Sequence, residues 1–448
     1  MKNLPVISLL LGLSLLVPHL AVEALPLQSR AQNPSTSRPS NSAKPEAQDA
    51  MPPAIRQKAV RYSRAQYTNY FCGVALSAAV YAAFWLCGFG IWLRKLALRA
   101  SHRLAIQCLI FVPVFWIAAG VIQSPLDFYG GYTIEHRFGL STQHFASWLA
   151  DWGKALGLTA LAAIVLVWIL YRVIRGSPRL WWLWFWVIAL PLALLLLFGE
   201  PYVIEPLFYK FTPLVETQPK LTARIEEMLQ RAGVSIPASH IYEMNASSKT
   251  RALNAYVSGV GHSKRVVVWD TTLKQMTPDE TLAVLAHETG HYVLHHVIKE
   301  FALDEIVALG AFLLGFLVVG WIARRRRAWT RIEGAGDLAS LPLLMLVLTV
   351  IVFLTSPLYC GISRHYEHQA DQYGLELSHG VVPNSNAAMV GAFRVLAKND
   401  LADPDPNAFV RFWLFTHPPL EERVRFAEHY HPWAEGKPMK LLKQKSDP

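Results

Sequence analysis

Six stretches of the chain are apolar over a length that crosses a bilayer: 69–93, 104–123, 156–174, 178–198, 306–323 and 338–359, each bounded by charged or polar residues. A hydrocarbon core about 30 Å thick takes roughly 20 helical residues, so each run predicts a membrane-spanning helix. Trp181, Trp182, Trp184 and Trp186 open the fourth run, where an interfacial aromatic belt would lie. Outside these runs the period changes. Leu221, Ile225, Met228 and Leu229 recur at helical spacing before Gly233. Ala252–Ser258 and Arg265–Trp269 read as two short strands joined by Gly259-Val260-Gly261. Thr277, Pro278 and Glu280 supply an N-cap, a first-turn proline and the partner of a capping box, and the helix they begin is expected to run to about Lys299.

The N-terminus decides between six and seven spans. Residues 1–24 hold Lys2, an apolar stretch from Leu4 to Leu20 and the small-residue sequence Ala21-Val22-Glu23-Ala24. That is the layout of a cleaved signal peptide, with a retained first span as the alternative. Residues 25–68 follow as a disordered linker, because Pro, Ser, Asn and Gln accumulate from Gln28 to Pro53 without apolar periodicity. The remaining organisation is four spans over 69–198, a catalytic domain over 199–305, two spans over 306–359 and a C-terminal catalytic segment over 360–448. The fold class is therefore mainly α: a polytopic helical membrane protein with a small α+β catalytic domain.

Composition agrees. Of 448 residues 53% are hydrophobic and only 17% charged, the balance of a membrane protein and not of a chain with several soluble domains. Cys72, Cys87, Cys108 and Cys360 fall in or beside apolar runs without CxxC spacing, which excludes a disulfide framework or a cysteine zinc site. The net charge of +10 lacks the basic and aromatic interleaving of a nucleic-acid surface; the excess fits contact with a lipid bilayer rich in anionic headgroups.

Within the capped helix stands His287-Glu288-Thr289-Gly290-His291, an HExxH motif. Four-residue spacing puts both imidazoles on one helix face, able to reach one zinc ion, with Glu288 beside them to handle water. Gly290 inside a helix costs about 1 kcal/mol against Ala, which implies a close approach there. Catalytic zinc takes three protein ligands and leaves a position open, so a third must be found. Glu367 and Asp371, four apart after the last span, offer a ligand and a partner for an imidazole N–H. His365, His368, His295 and His296 compete for the third place, the last two lying farther along the helix of the motif.

HETGH, followed by Glu367-His368-Gln369-Ala370-Asp371 at the end of a span, resembles the integral-membrane CAAX prenyl protease type 1 family. So do Pro206-Leu207-Phe208-Tyr209-Lys210-Phe211-Thr212-Pro213-Leu214, Asn254-Ala255-Tyr256, Lys264-Arg265-Val266-Val267-Val268 and His417-Pro418-Pro419-Leu420-Glu421-Glu422-Arg423, in that order. The resemblance covers about residues 60–430. It implies a zincin-type domain in which one zinc ion is bound by His287, His291 and Glu367, with Asp371 orienting a ligand. It also implies a ring of membrane helices around a large chamber, a substrate strand through Asn254, Ala255 and Tyr256, an oxyanion donor in His417 and electrostatic support from Arg423. The substrate would be a peptide or protein cut near a prenylated C-terminal cysteine.

The chemistry to expect is peptide hydrolysis by a zinc-activated water with Glu288 as general base. A transporter with a structural zinc site, or an inactive homologue that only binds peptide, is the alternative; the first would fill all four zinc positions with Cys or His, and the second would have lost a key residue. Basic residues gather in three short loops, Arg94 to Arg103, Arg172 to Arg179 and Arg324 to Arg331, which the positive-inside rule places in the cytoplasm. The site then faces the periplasm or exterior of a bacterial inner membrane; for a eukaryotic chain the resemblance implies the endoplasmic reticulum. Arg56, Lys58, Arg61 and Arg64, before the first span, oppose that orientation.

Overall fold

The structure, a computed structural model, describes residues 51–259, 263–325 and 332–442; the expectations for residues 1–24 and for 25–50 of the linker lie outside them. Among the described residues six helices are long and apolar enough to cross a membrane. The first, α1, runs from Pro53 to Leu86. Residues 53–68 are therefore helix and not linker: Ala59 and Tyr62 bury against Ile134, Leu140 and Leu401, a face too narrow to show as apolar periodicity. Gly88, at φ 74, then breaks the run predicted at 69–93 and α2, Phe89–Ala100, begins. Helix α3, Leu104–Phe128, continues through a π-helical turn, Tyr129–Ile134, to Arg137. Helices α4, Phe145–Gly176, and α5, Trp181–Val203, complete the first half. Leu109, Ile117, Leu161 and Leu195 stand outward to lipid, while Phe111, Trp116, Leu170 and Tyr171 fill the interior.

The domain that follows carries helix α6, Pro219–Arg231, and four strands: β1, Phe211–Pro213; β2, Ile241–Met244; β3, Ala255–Ser258; β4, Arg265–Trp269. Their order is β1-β2-β4-β3, with β2 and β4 parallel and the outer pairs antiparallel. The predicted pair β3 and β4 is present, in register Ala255 to Val268. The first strand starts three residues later than expected because Asn254 donates its N–H to Thr272 Oγ1 instead of a strand. Strands β1 and β2 are too short to leave an alternating pattern.

Helix α7, Pro278–Val293, opens on the expected capping box: Thr277 Oγ1 accepts from Glu280 N, and Glu280 Oε2 from Thr277 N. It stops six residues short of Lys299. Leu294 N–H closes on Gly290 O, and His295, at φ 57, turns the chain so that α8, His296–Arg325, starts in a new direction. Helix α9, Leu341–Ser378, is the longest. The boundaries expected at 305/306 and 359/360 fall inside α8 and α9, so the spans and the domain between them share continuous helices. Glu300, Asp304 and Glu305, read in the sequence as part of the domain, are thereby buried near the start of a spanning helix. Three further helices close the domain: α10, Ser385–Asn399; α11, Ala408–Leu414; α12, Leu420–His429.

Helices α7 and α9 cross closely. A Cβ on Gly290 would meet Tyr373 Cβ at 3.2 Å and Ala370 Cα at 3.3 Å, and one on Gly374 would meet His287 N at 2.9 Å. This is the approach that an interior glycine implied. The loops fall into two groups. Ser141 pairs with Thr250, tying the loop after α3 to the domain, whereas Arg94 meets Asp337 at 2.5 Å and Arg175 Nε donates to Gly336 O at the opposite end.

Candidate metal centre

The crossing of α7 and α9 brings one face of each together. His287 Nε2 and His291 Nε2 lie 3.1 Å apart, and Glu367 Oε2 and Oε1 lie 3.5 and 3.4 Å from them respectively. The three ligand atoms all fall within 4.8 Å of one another, a group able to hold one metal ion. His365, His368 and His295 are exposed and turn away, so Glu367, 3% exposed, is the one that reaches the histidines from α9. The donor set fits zinc: two imidazole nitrogens and one carboxylate, with Glu367 Oε2 buried and lacking a hydrogen-bond partner.

The surroundings are charged and largely buried. His287 Nδ1–H donates to Asp371 Oδ1 at 2.8 Å, which leaves Nε2 free for a metal. Arg423, on α12, grips Asp371 with two bonds, Nε to Oδ2 at 2.8 Å and Nη2 to Oδ1 at 2.5 Å, with its guanidinium over the Phe393 ring. Burial pulls the His287 imidazole down, but the Asp371 and Glu367 carboxylates beside it outweigh that and raise its pKa to about 9. Burial also works against the Arg423 charge, and the carboxylates of Asp371 and Glu367 more than restore it, pushing its pKa up.

Glu288 is buried, with Oε1 4.0 Å from His287 Nε2, and shares a small pocket with Asn254, Thr272, Met276 and Leu396. His417 is brought to the centre by the turn before α12: its Nε2 lies 2.7 Å from Glu367 Oε1 and its Nδ1 2.7 Å from Thr416 Oγ1. Asn254 lines the same pocket as Glu288, but the side chains of Ala255 and Tyr256 do not face it. Both are buried, and the Tyr256 hydroxyl donates to Glu205 Oε2. What β3 presents is backbone. It is an edge strand, and the Ala255 N–H is held by Asn254 Oδ1 at 3.0 Å.

One residue close to this centre was misplaced by the sequence. His296 was assigned to the motif's own helix, yet after the turn at His295 its Nδ1 lies 3.2 Å from His291 Nδ1. The positive φ of a non-glycine residue leaves no trace in periodicity.

A bundle of spanning helices with a buried His-His-Glu group where α7, packed on a small sheet, crosses the spanning helix α9 has the arrangement of a membrane-embedded metallopeptidase. The comparisons agree. Residues 216–431 match peptidase family M48, and residues 34–210 match the CAAX prenyl protease N-terminal region of five membrane helices. The chain belongs to the CAAX prenyl protease type 1 family of M48 metalloproteases. It is 34% identical over 378 residues to the uncharacterized metalloprotease YhfN of Bacillus subtilis, covering 84% of this chain and 86% of that one. It is 26% identical over 363 residues to the human CAAX prenyl protease 1 homolog, covering 71% and 73%. The fold is that of the crystal structure of S. mikatae Ste24p, at a TM-score of 0.71 and 21% identity over 95% of this chain and 97% of that chain.

Proposed function

We propose that this metalloprotease is a zinc-dependent endopeptidase whose metal is held by His287, His291 and Glu367. The observation that carries the reading is the convergence of these three ligand atoms beside a buried Glu288. Zinc held there would polarise a scissile carbonyl and acidify a water molecule. Glu288 takes the proton of the attacking water and passes it to the departing amine. His417, with Nδ1 accepting from the Thr416 hydroxyl, keeps its N–H on Nε2; that N–H faces Glu367 Oε1 at 2.7 Å and swings to the carbonyl oxygen as charge develops there. Arg423 fixes Asp371, and Asp371 fixes His287. The peptide lies along the edge of β3, bonding backbone to backbone, with Asn254 giving up the Ala255 N–H to it.

The substrate reading follows the human relative's name: a peptide ending in a prenylated CAAX sequence, reached through a chamber among the spans. Purified protein incubated with a peptide library, with and without chelator, tests the activity, and farnesylated and plain forms of the same C-terminal peptide test the specificity. Chelator-insensitive cleavage, or none, removes the zinc reading; equal rates on both peptides remove CAAX processing alone.

The loops at the end opposite the site carry Arg94, Lys95, Arg99, Arg172, Arg175 and Arg179, and we place that end in the cytoplasm. A cysteine at the exposed Lys437 should then react with an impermeant thiol reagent in intact cells. Reaction only after lysis would reverse the orientation.

A further inference from the structure

We propose that His296 is a positioning residue for the metal: a neutral imidazole that accepts the Nδ1–H of His291 and so aims Nε2 of that ligand into the centre. The inference rests on the zinc reading above. The two His291 nitrogens have separate tasks. Its Nε2 faces His287 and Glu367, as a ligand atom must, so the proton of the neutral ring resides on Nδ1. That N–H points at His296 Nδ1, 3.2 Å away. To accept it, His296 must carry its own proton on Nε2, and that nitrogen lies 3.0 Å from Gln369 Oε1, an acceptor. A single chain of donors and acceptors results, from His291 through His296 to the Gln369 carbonyl, and it fixes one tautomer for each ring.

The rest of the neighbourhood holds the ring in place. His296 is fully buried and stacks on Tyr366, centroids 4.5 Å apart and planes within 12°. The left-handed turn at His295 points the chain so that the first residue of α8 returns toward the ligand on α7. The two ligating histidines are thus oriented by unlike partners. His287 leans on a carboxylate, Asp371, that is itself neutralised by Arg423, and His291 leans on a neutral ring. A carboxylate in place of His296 would be the fourth in a buried group that already contains Glu367, Glu288 and Asp371. A neutral acceptor orients the ligand without that cost.

The test uses the purified full chain and measures zinc affinity by competition with a chromophoric chelator, independent of activity. His296→Phe keeps the ring on Tyr366 and removes the acceptor, and we expect zinc to bind about 10- to 100-fold more weakly. In His296→Asn, Oδ1 takes the place of Nδ1, and affinity should return to within about threefold of the unsubstituted protein. His296→Gln carries its oxygen farther out, where Nε2 was, and should not rescue. If His296→Phe does not fold, Gln369→Leu breaks the same chain one link on and should also weaken zinc. An unsubstituted protein that binds no zinc would remove the metal reading itself. Zinc bound equally by the unsubstituted protein and the Phe variant, or by the Asn and Gln variants, would overturn the role given to His296 and leave the metal reading standing.

Discussion

Two Arg–Asp pairs, each with a buried carboxylate, stand at opposite ends of this molecule and do different work. Arg423 and Asp371 are 3% and 2% exposed, and Asp371 hands its remaining capacity to the His287 imidazole. Arg94 and Asp337 are 16% and 5% exposed, and Asp337 instead accepts the backbone N–H groups of Glu333 and Ala339 before α9. Each is a guanidinium on a buried aspartate, although Arg423 grips Asp371 with two bonds and Arg94 Nη1 also reaches Glu333 Oε1 at 3.0 Å. What differs is the third partner: a side chain with a ligand atom at one end, a helix start at the other. An Arg–Asp pair therefore says nothing about function until its other bonds are counted.

If the comparison is right, damage at the two ends should differ in kind. The largest effect belongs to Glu288→Gln, which removes the base and keeps every ligand. Turnover should fall at least about 10³-fold while zinc content stays at that of the unsubstituted protein. Glu367→Ala should lose both together, by metal analysis and peptide cleavage. Full zinc in the Ala variant, or activity in the Gln variant, would exchange or cancel these roles. His417→Ala comes next: kcat should drop about 10²-fold with little change in KM and none in zinc. An unaltered kcat would take His417 out of the reaction.

Arg423→Met leaves Asp371 buried with the His287 imidazole as its remaining partner. Removing one partner of such a pair costs about 3–5 kcal/mol, so a large fall in Tm should accompany a zinc affinity about 10- to 100-fold weaker. A milder probe of the same network is pH. His287 must lose its proton to bind metal, and its pKa is raised to about 9 by Asp371 and Glu367. Below that value each bound zinc displaces one proton, so affinity should rise about tenfold per pH unit up to about 9 and then level off. A flat profile between pH 6 and 8 would mean that His287 is already neutral there.

How much of this was legible in the sequence follows the same division. The spans announced themselves by length and apolarity, and the metal helix by Thr277, Pro278 and Glu280 together with the HExxH spacing. Both are local signals. Gly290 even reported the helix crossing before a partner was known. Glu367 was one of several candidates, because choosing it over His365 and His368 needs the rotation of α9 about its axis, set by packing against α7. His417 and Arg423 could be named only through the family resemblance, since nothing in their spacing says that α12 returns to the ligands. The helix over 53–68 stayed hidden because its buried face is made of Ala59, Tyr62 and Ser63, which carry little hydropathy. The break at His295 stayed hidden because histidine, although enriched among non-glycine residues at positive φ, adopts it too rarely to be read from sequence.

The smallest expected effect is the one that isolates the comparison. Arg94→Met removes the counterpart of Arg423 at the far end, where Asp337 keeps its two backbone donors and is therefore not stranded. The cost should be about 1–3 kcal/mol, read as a Tm lower by several degrees, because the contacts to Asp337 and to the exposed Glu333 are lost while the desolvated carboxylate stays bonded. Zinc affinity, kcat and KM of the folded fraction should match those of the unsubstituted protein. Arg423→Met must differ on all of these counts if the third partner is what sets the role of each pair. Should Arg94→Met weaken zinc as Arg423→Met does, the two ends would be coupled through α9, the helix that starts just beyond Asp337 and carries Glu367 and Asp371. The division drawn between a structural end and a chemical end would then fall.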